Sequence, residues 1–227
     1  MPEVNGCSGP VVYPCRVIVV IGHPILRTAA LGGGLDGTAA RAAATAAAAG
    51  REVQLVGTIG DDPDGDALVL ALAQAGVGHA ALLRDAARRT PVVVAEPTDE
   101  DESEAPAPTI EPRDPADRPT LEAADVELAL RYLTDFRVVV VAEPLPAPIV
   151  DVAAAAAGYA GADLVVAVGP GEDGPADATV VEAPPTDPDG AFATLLGTLA
   201  ADLDAGSLPA DGIAAAATGL GWTRPEN

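Results

Sequence analysis

Residues 46–77 read AAAAGREVQLVGTIGDDPDGDALVLALAQAGV, and their punctuation decides the fold class. The alanines end a run that begins near Thr38, and Gly50 follows as the glycine that closes a helix. Residues 53–57 (VQLVG) form a short apolar strand. Asp62-Pro63 then supplies an N-cap and a first-turn proline for a second helix. Leu68, Leu72 and Ala75 recur there at helical spacing until Gly76 stops the run. Helix, strand and helix in immediate succession are the building unit of an α/β protein.

The same alternation extends outward in both directions. Upstream, residues 16–21 (RVIVVI) are a β-branched run ended by Gly22, which predicts a buried first strand. A glycine-rich loop at 31–37 and an alanine-rich helix at 38–49 follow. Downstream, strands are predicted at 91–95, 137–142, 163–168 and 179–182, and helices at 121–134, 146–157, 190–205 and 209–218. Residues 96–125 interrupt the pattern with eleven acidic residues, two arginines and six prolines. That composition predicts a solvated loop or linker at about 96–120. The expected fold is therefore one α/β domain over residues 1–227, a three-layer protein with a mostly parallel twisted sheet and helices on both faces. Ligands in such sheets sit beyond the carboxyl ends of the strands, which singles out the loops after Ile21, Gly57, Ala95, Ala142, Val168 and Glu182.

Charge narrows the partners. With 34 acidic residues against 12 basic ones, all arginine, the formal net charge is −22. Such a chain repels phosphate backbones and anionic lipid surfaces, so nucleic acid and membrane are not expected as partners. No run reaches the ~18 apolar residues of a membrane span, and residues 1–10 lack a basic region followed by an apolar one. A cytoplasmic location is expected. Cys7 and Cys15 read as reduced thiols, with a local disulfide or half a metal site as the alternatives. His23 and His79 lie far apart in sequence, and no metal site is predicted.

The order of the motifs resembles the ribokinase-like (PfkB) carbohydrate kinase family. In that family a small-residue helix is followed by a strand, a G-x-x-G-x-D-x-x-G turn, a helix ending L-x-x-x-G-V and a threonine-bearing strand. Gly57, Gly60, Asp62, Gly65, Gly76, Val77 and Thr90 fall at those positions. The three glycines at 57, 60 and 65 are expected to serve the backbone geometry where strand turns to helix. Residues 183–221 (APPTDPDGAFATLLGTLAADLDAGSLPADGIAAAATGLG) are similar to the family's D-T-x-G-A-G-D-A-F loop and the helices after it.

The resemblance implies transfer of the ATP γ-phosphoryl group to a sugar or nucleoside hydroxyl, with ATP and Mg²⁺ as cofactors. Gly190 and Ala191 would then line the anion-binding loop, where backbone N–H groups and the helix dipole hold phosphate. The family's aspartate base, however, aligns with Gly190, while Asp187 and Asp189 flank a proline without an N–H. Either aspartate is a displaced base or an ordinary N-cap. On the substrate side, the family's sugar-binding aspartate aligns with Arg27, and its G-G-x-x-x-N element with Asp36-Gly37 and Arg41. Between Asn5 and Asn227 there is no asparagine, so the family's N-x-x-E element is absent. The chain is also short, with the missing part between about 167 and 181. The lid is expected to be reduced or absent, which argues against the family's lid-mediated homodimer.

These readings favour a degenerate family member with weak or no sugar phosphorylation. The alternatives are an active kinase with a relocated aspartate and a non-catalytic acidic binding or assembly protein.

Overall fold

Strand β1 (Val17–Ile21) sets the architecture, because both of its faces are buried. Ile18 and Val20 enter one hydrophobic cluster, Val19 and Ile21 the other. The computed structural model describes residues 17–95, 108–187 and 189–213. Cys7, Cys15 and Arg16 lie outside the described residues.

Next to β1 in the sheet lie β4 (Glu52–Gly60) and β8 (Phe136–Val141), both parallel to it. The sheet continues through β5 (Val77–Asp85) on one side, and through β9 (Asp163–Val168) and β10 (Thr179–Glu182) on the other. All six strands are parallel, in the order β10-β9-β8-β1-β4-β5. On one face pack α1 (Thr38–Ala48), α2 (Pro63–Gln74) and α5 (Ala191–Asp204). On the other face pack α3 (Ala123–Tyr132) and α4 (Ala147–Ala160). Three layers with a parallel sheet between helices are as the sequence predicts.

Small residues let the helices come close. Gly197 of α5 packs so near α1 that a Cβ there would overlap the Ala42 carbonyl and lie 2.6 Å from Thr45 Cβ. Five buried alanines of α1 make its inward face. Residues 209–213 are helical, and the rest of the predicted 209–218 helix lies outside the described residues.

Above the carboxyl edge lies a second sheet, β3-β2-β6-β7, made of β2 (Ile25–Arg27), β3 (Gly34–Asp36), β6 (Val92–Ala95) and β7 (Pro108–Glu111). Its strands have only three or four residues, so the lid is reduced rather than absent. This corrects two expectations. The glycine-rich loop at 31–37 contains β3, and the predicted linker at 96–120 contains β7, paired antiparallel with β6. Arg118 fastens the segment by donating to the carbonyls of Ile110, Pro112 and Arg113, and Arg88 donates to those of Ala116 and Arg118. Residues 96–107 lie outside the described residues.

Gly57, Gly60 and Gly65 need correction as well. None has a left-handed φ; the first two lie in β4 and the third in α2. Glycine is required there by space. A Cβ at Gly57 would meet the Gly22 carbonyl at 2.5 Å, one at Gly60 the Thr90 nitrogen at 2.6 Å, and one at Gly65 would overlap the Gly60 carbonyl. Gly50 and Gly76 do adopt positive φ (79° and 75°) after their helices.

Candidate functional site

The central sheet reverses its winding between β1 and β8, the place where a doubly wound sheet opens a crevice for ligand. Two side chains meet at that point. His23 leaves β1 and Glu143 leaves β8, and Glu143 Oε1 accepts from the His23 backbone N–H at 2.6 Å and from Nδ1 at 2.8 Å. A carboxylate accepts only, so the imidazole proton sits on Nδ1. The hydrogen bond to Glu143 raises the His23 pKa, against the lowering effect of burial, and the carboxylate charge adds to the rise. Gly22 makes room, since a Cβ there would lie 2.9 Å from Glu143 Oε1 and 2.8 Å from Ala39 Cβ.

The second sheet supplies the next layer. Arg27 at the end of β2 donates to Asp36 Oδ2 through Nε (2.9 Å) and lies 2.6 Å from it through Nη2. Arg41, in the first turns of α1, approaches the other oxygen of Asp36 at 3.9 Å. Gly37 separates them at the N-cap of α1 with φ 73°, and its N–H donates to Asp36 Oδ1. Arg27, Gly37 and Arg41, singled out in the sequence as substrate positions, are thus assembled around one carboxylate.

Arg41 also connects this group to the loop before α5. Its Nη2 donates to the Asp189 carbonyl, and its guanidinium lies where a side chain at Gly190 would have to be. Within the loop, the Asp187 carboxylate accepts from the N–H groups of Phe192 and Ala193, both at 3.1 Å. Asp187 therefore caps α5, and the first-turn donors that would cradle an anion already have one. Gly190, which the resemblance aligns with the family's base, sits buried at the N-cap with φ 71°; Asp189 is exposed beside it. Pro188 lies outside the described residues. Among the described residues no group of three His, Cys, Asp or Glu side chains is placed to hold a metal ion.

Sequence reasoning named the loops after Ile21 and Ala142 but not the pair within them. His23 and Glu143 are 120 residues apart, and only the sheet order makes them neighbours. Asp36 was visible merely as an alignment position.

The first motif, by contrast, belongs to the scaffold. Asp62 caps α2 through the Gly65 N–H (2.8 Å), and accepts from Thr90 through both its N–H (2.9 Å) and its hydroxyl (2.7 Å). The Thr90 hydroxyl in turn accepts from the Gly60 N–H. Burial pushes the Asp62 carboxyl up, but the bonds from Thr90 and Gly65 and the charge of Arg89 outweigh it and hold the pKa below its usual value.

No family model matches the sequence, and no curated protein matches it either. Solved structures do. An E. coli protein described as a ribokinase II, in its apo form, superposes with a TM-score of 0.60 at 13% identity, covering 88% of this chain and 90% of that one. A fructokinase from Xylella fastidiosa superposes with a TM-score of 0.51 at 19% identity over 83% of this chain. Its ATP-bound form gives the same score at 20% identity. The chain spans 58% and 56% of the length of those two fructokinase structures. The fold is ribokinase-like, and no helix among the described residues is long and apolar enough to cross a membrane.

Proposed function

We propose that this protein keeps the ribokinase-like scaffold to bind a small polar molecule in the cytoplasm and does not transfer phosphoryl groups from ATP. One observation carries the reading. The carboxylate of Asp187 occupies the donors at the start of α5, where the resemblance to sugar kinases expects phosphate, and Gly190 offers no carboxylate at the base position. Two aspartates in this loop also place negative charge where a transferring phosphoryl group needs neutralisation. The residues present do not fit ATP and Mg²⁺ as that chemistry would require, and no step is derived through them.

What supports binding is a cluster of polar groups beyond the carboxyl ends of β1 and β8. His23, Glu143, Arg27, Asp36 and Arg41 offer donors and acceptors at the switch point of the sheet, enough to orient a sugar or nucleoside.

The test is a coupled turnover assay with ATP, Mg²⁺ and a panel of sugars and nucleosides. The expected outcome is no ADP release above background. Turnover at an ordinary kinase rate, ~1–100 s⁻¹, abolished by Asp189→Asn or Asp187→Asn, would establish an active kinase with a relocated base instead.

A further inference from the structure

At the amino ends of the strands, opposite the polar cluster, α3 and α4 leave an apolar groove of about 860 Å³ between them. Leu130, Leu133, Phe136, Val152, Ala156 and Tyr159 line it. Tyr159 stands 97% exposed at its edge, a large ring left in water beside other apolar groups. Both helices end here: Leu133 is the C-cap of α3, and Ala160 is the last residue of α4. Helix carboxyl ends carry partial negative charge, and Asp135 adds a carboxylate. Arg131 does not offset them, because Glu127, four residues before it, meets it at 2.5 Å.

The chain enters the fold at this spot. Val17, the first residue of β1, pairs with Phe136 and donates its N–H to the Asp135 carbonyl at 3.4 Å. Residues 1–16 therefore join the sheet beside the groove. They read MPEVNGCSGPVVYPCR, with an apolar stretch at 10–14 and one charge of each sign, Glu3 and Arg16. Tyr13 is four residues before Val17, so its backbone lies within about 14 Å of it. A segment tethered that closely competes for the groove at an effective concentration near millimolar. A second copy of the chain is the poorer occupant. Two chains of formal charge −22 repel each other, whereas the side-chain charges of residues 1–16 sum to zero.

We propose that residues 10–14 (PVVYP) occupy the groove between α3 and α4 as a strap. Val11, Val12 and Tyr13 supply its apolar contacts, and Arg16 lies at the helix ends beside Asp135.

Thiol labelling of the full chain tests it. In a Cys7→Ser, Cys15→Ser background, Val12→Cys provides a single reporter thiol. Its reaction with a chromogenic disulfide reagent is expected to be at least ten-fold slower than in a free peptide of residues 1–16 carrying the same substitutions. Ala155→Arg puts a charge on an exposed wall of the groove and should restore the fast rate. Tyr159→Asp, also at an exposed position, is the second variant should the first not fold. Leu70→Arg, on α2 across the sheet, should leave the rate unchanged. Labelling at the peptide's rate overturns the proposal. So does slow labelling that neither folded groove variant accelerates, or that Leu70→Arg accelerates equally. Sedimentation velocity exposes the rival occupant. A dimer dissociated by Ala155→Arg, with the thiol labelled at the peptide's rate, would put a second copy in the groove in place of the strap.

Discussion

Asp62 at the start of α2 and Asp187 at the start of α5 are both helix caps, yet their reach differs. Asp62 holds its own helix and also Thr90, a buried residue 28 positions away, so one carboxylate ties helix, strand end and lid together. Asp187 holds only Phe192 and Ala193, five and six residues further on. A cap that crosses the fold is part of its frame. A cap confined to its own helix can change without unmaking the frame, and here it stands where the proposed reading would otherwise put a ligand's charge. The contrast separates scaffold from site within a single residue type.

The contrast can be broken most forcefully at Gly65. Gly65→Ala puts a methyl group onto the Gly60 carbonyl inside the Asp62 knot, and overpacking of that kind costs about 3 kcal/mol. Urea unfolding should show it; an unchanged midpoint would mean the knot has slack. Next comes Thr90→Val, which leaves the Gly60 N–H and an Asp62 oxygen without their hydroxyl, at about 2 kcal/mol. Thr90→Ser should recover most of the loss. Asp187→Ala removes an ordinary cap and is expected to cost about 1 kcal/mol. If it proves as damaging as Thr90→Val, the two caps are alike and the distinction drawn above fails.

The smallest effects are in pH. Asp62 has a folded pKa below its usual 3.8, so its contribution is present above that value and is lost as pH falls through the folded one. The stability gap between wild type and Asp62→Asn should therefore close on acidification. His23 is the opposite case. Its folded pKa is raised above 6.5, so its contribution is complete below that value and is lost as pH rises through the folded one. The gap to His23→Gln should close toward alkaline pH, by less, because the ring is 35% exposed.

Legibility in the sequence followed locality. Strands such as β1 and β8 were plain because both faces are buried and their residues are β-branched. β5 went unread because it is an edge strand whose alanines and leucines are as apt for helix, with its exposed positions out of strict alternation. β2, β3 and β7 are too short to carry a period, and β7 hides in an acidic, proline-rich stretch whose composition speaks for disorder. The Asp62 motif was found, but its glycines were assigned to dihedral freedom when close approach is the cause. At the site, Arg27, Arg41 and the Asp187 loop were located by resemblance. The Asp36 bridge and the His23–Glu143 pair depend on three elements meeting, which no local pattern encodes.

The contact at Gly197 works as a gauge block. Because α1 and α5 meet through a backbone carbonyl and the small side of Thr45, the gap between them is set by main-chain atoms and not by a side chain that could swing aside. Arg41 rides on one helix and Asp189 precedes the other, so the span their hydrogen bond must bridge is fixed next door to Arg41, at Ala42, and about 12 Å along α5 from Asp189. One methyl group added at 197 would pry the helices apart and stretch the arginine off its carbonyl, detuning the crevice with every residue in it unaltered.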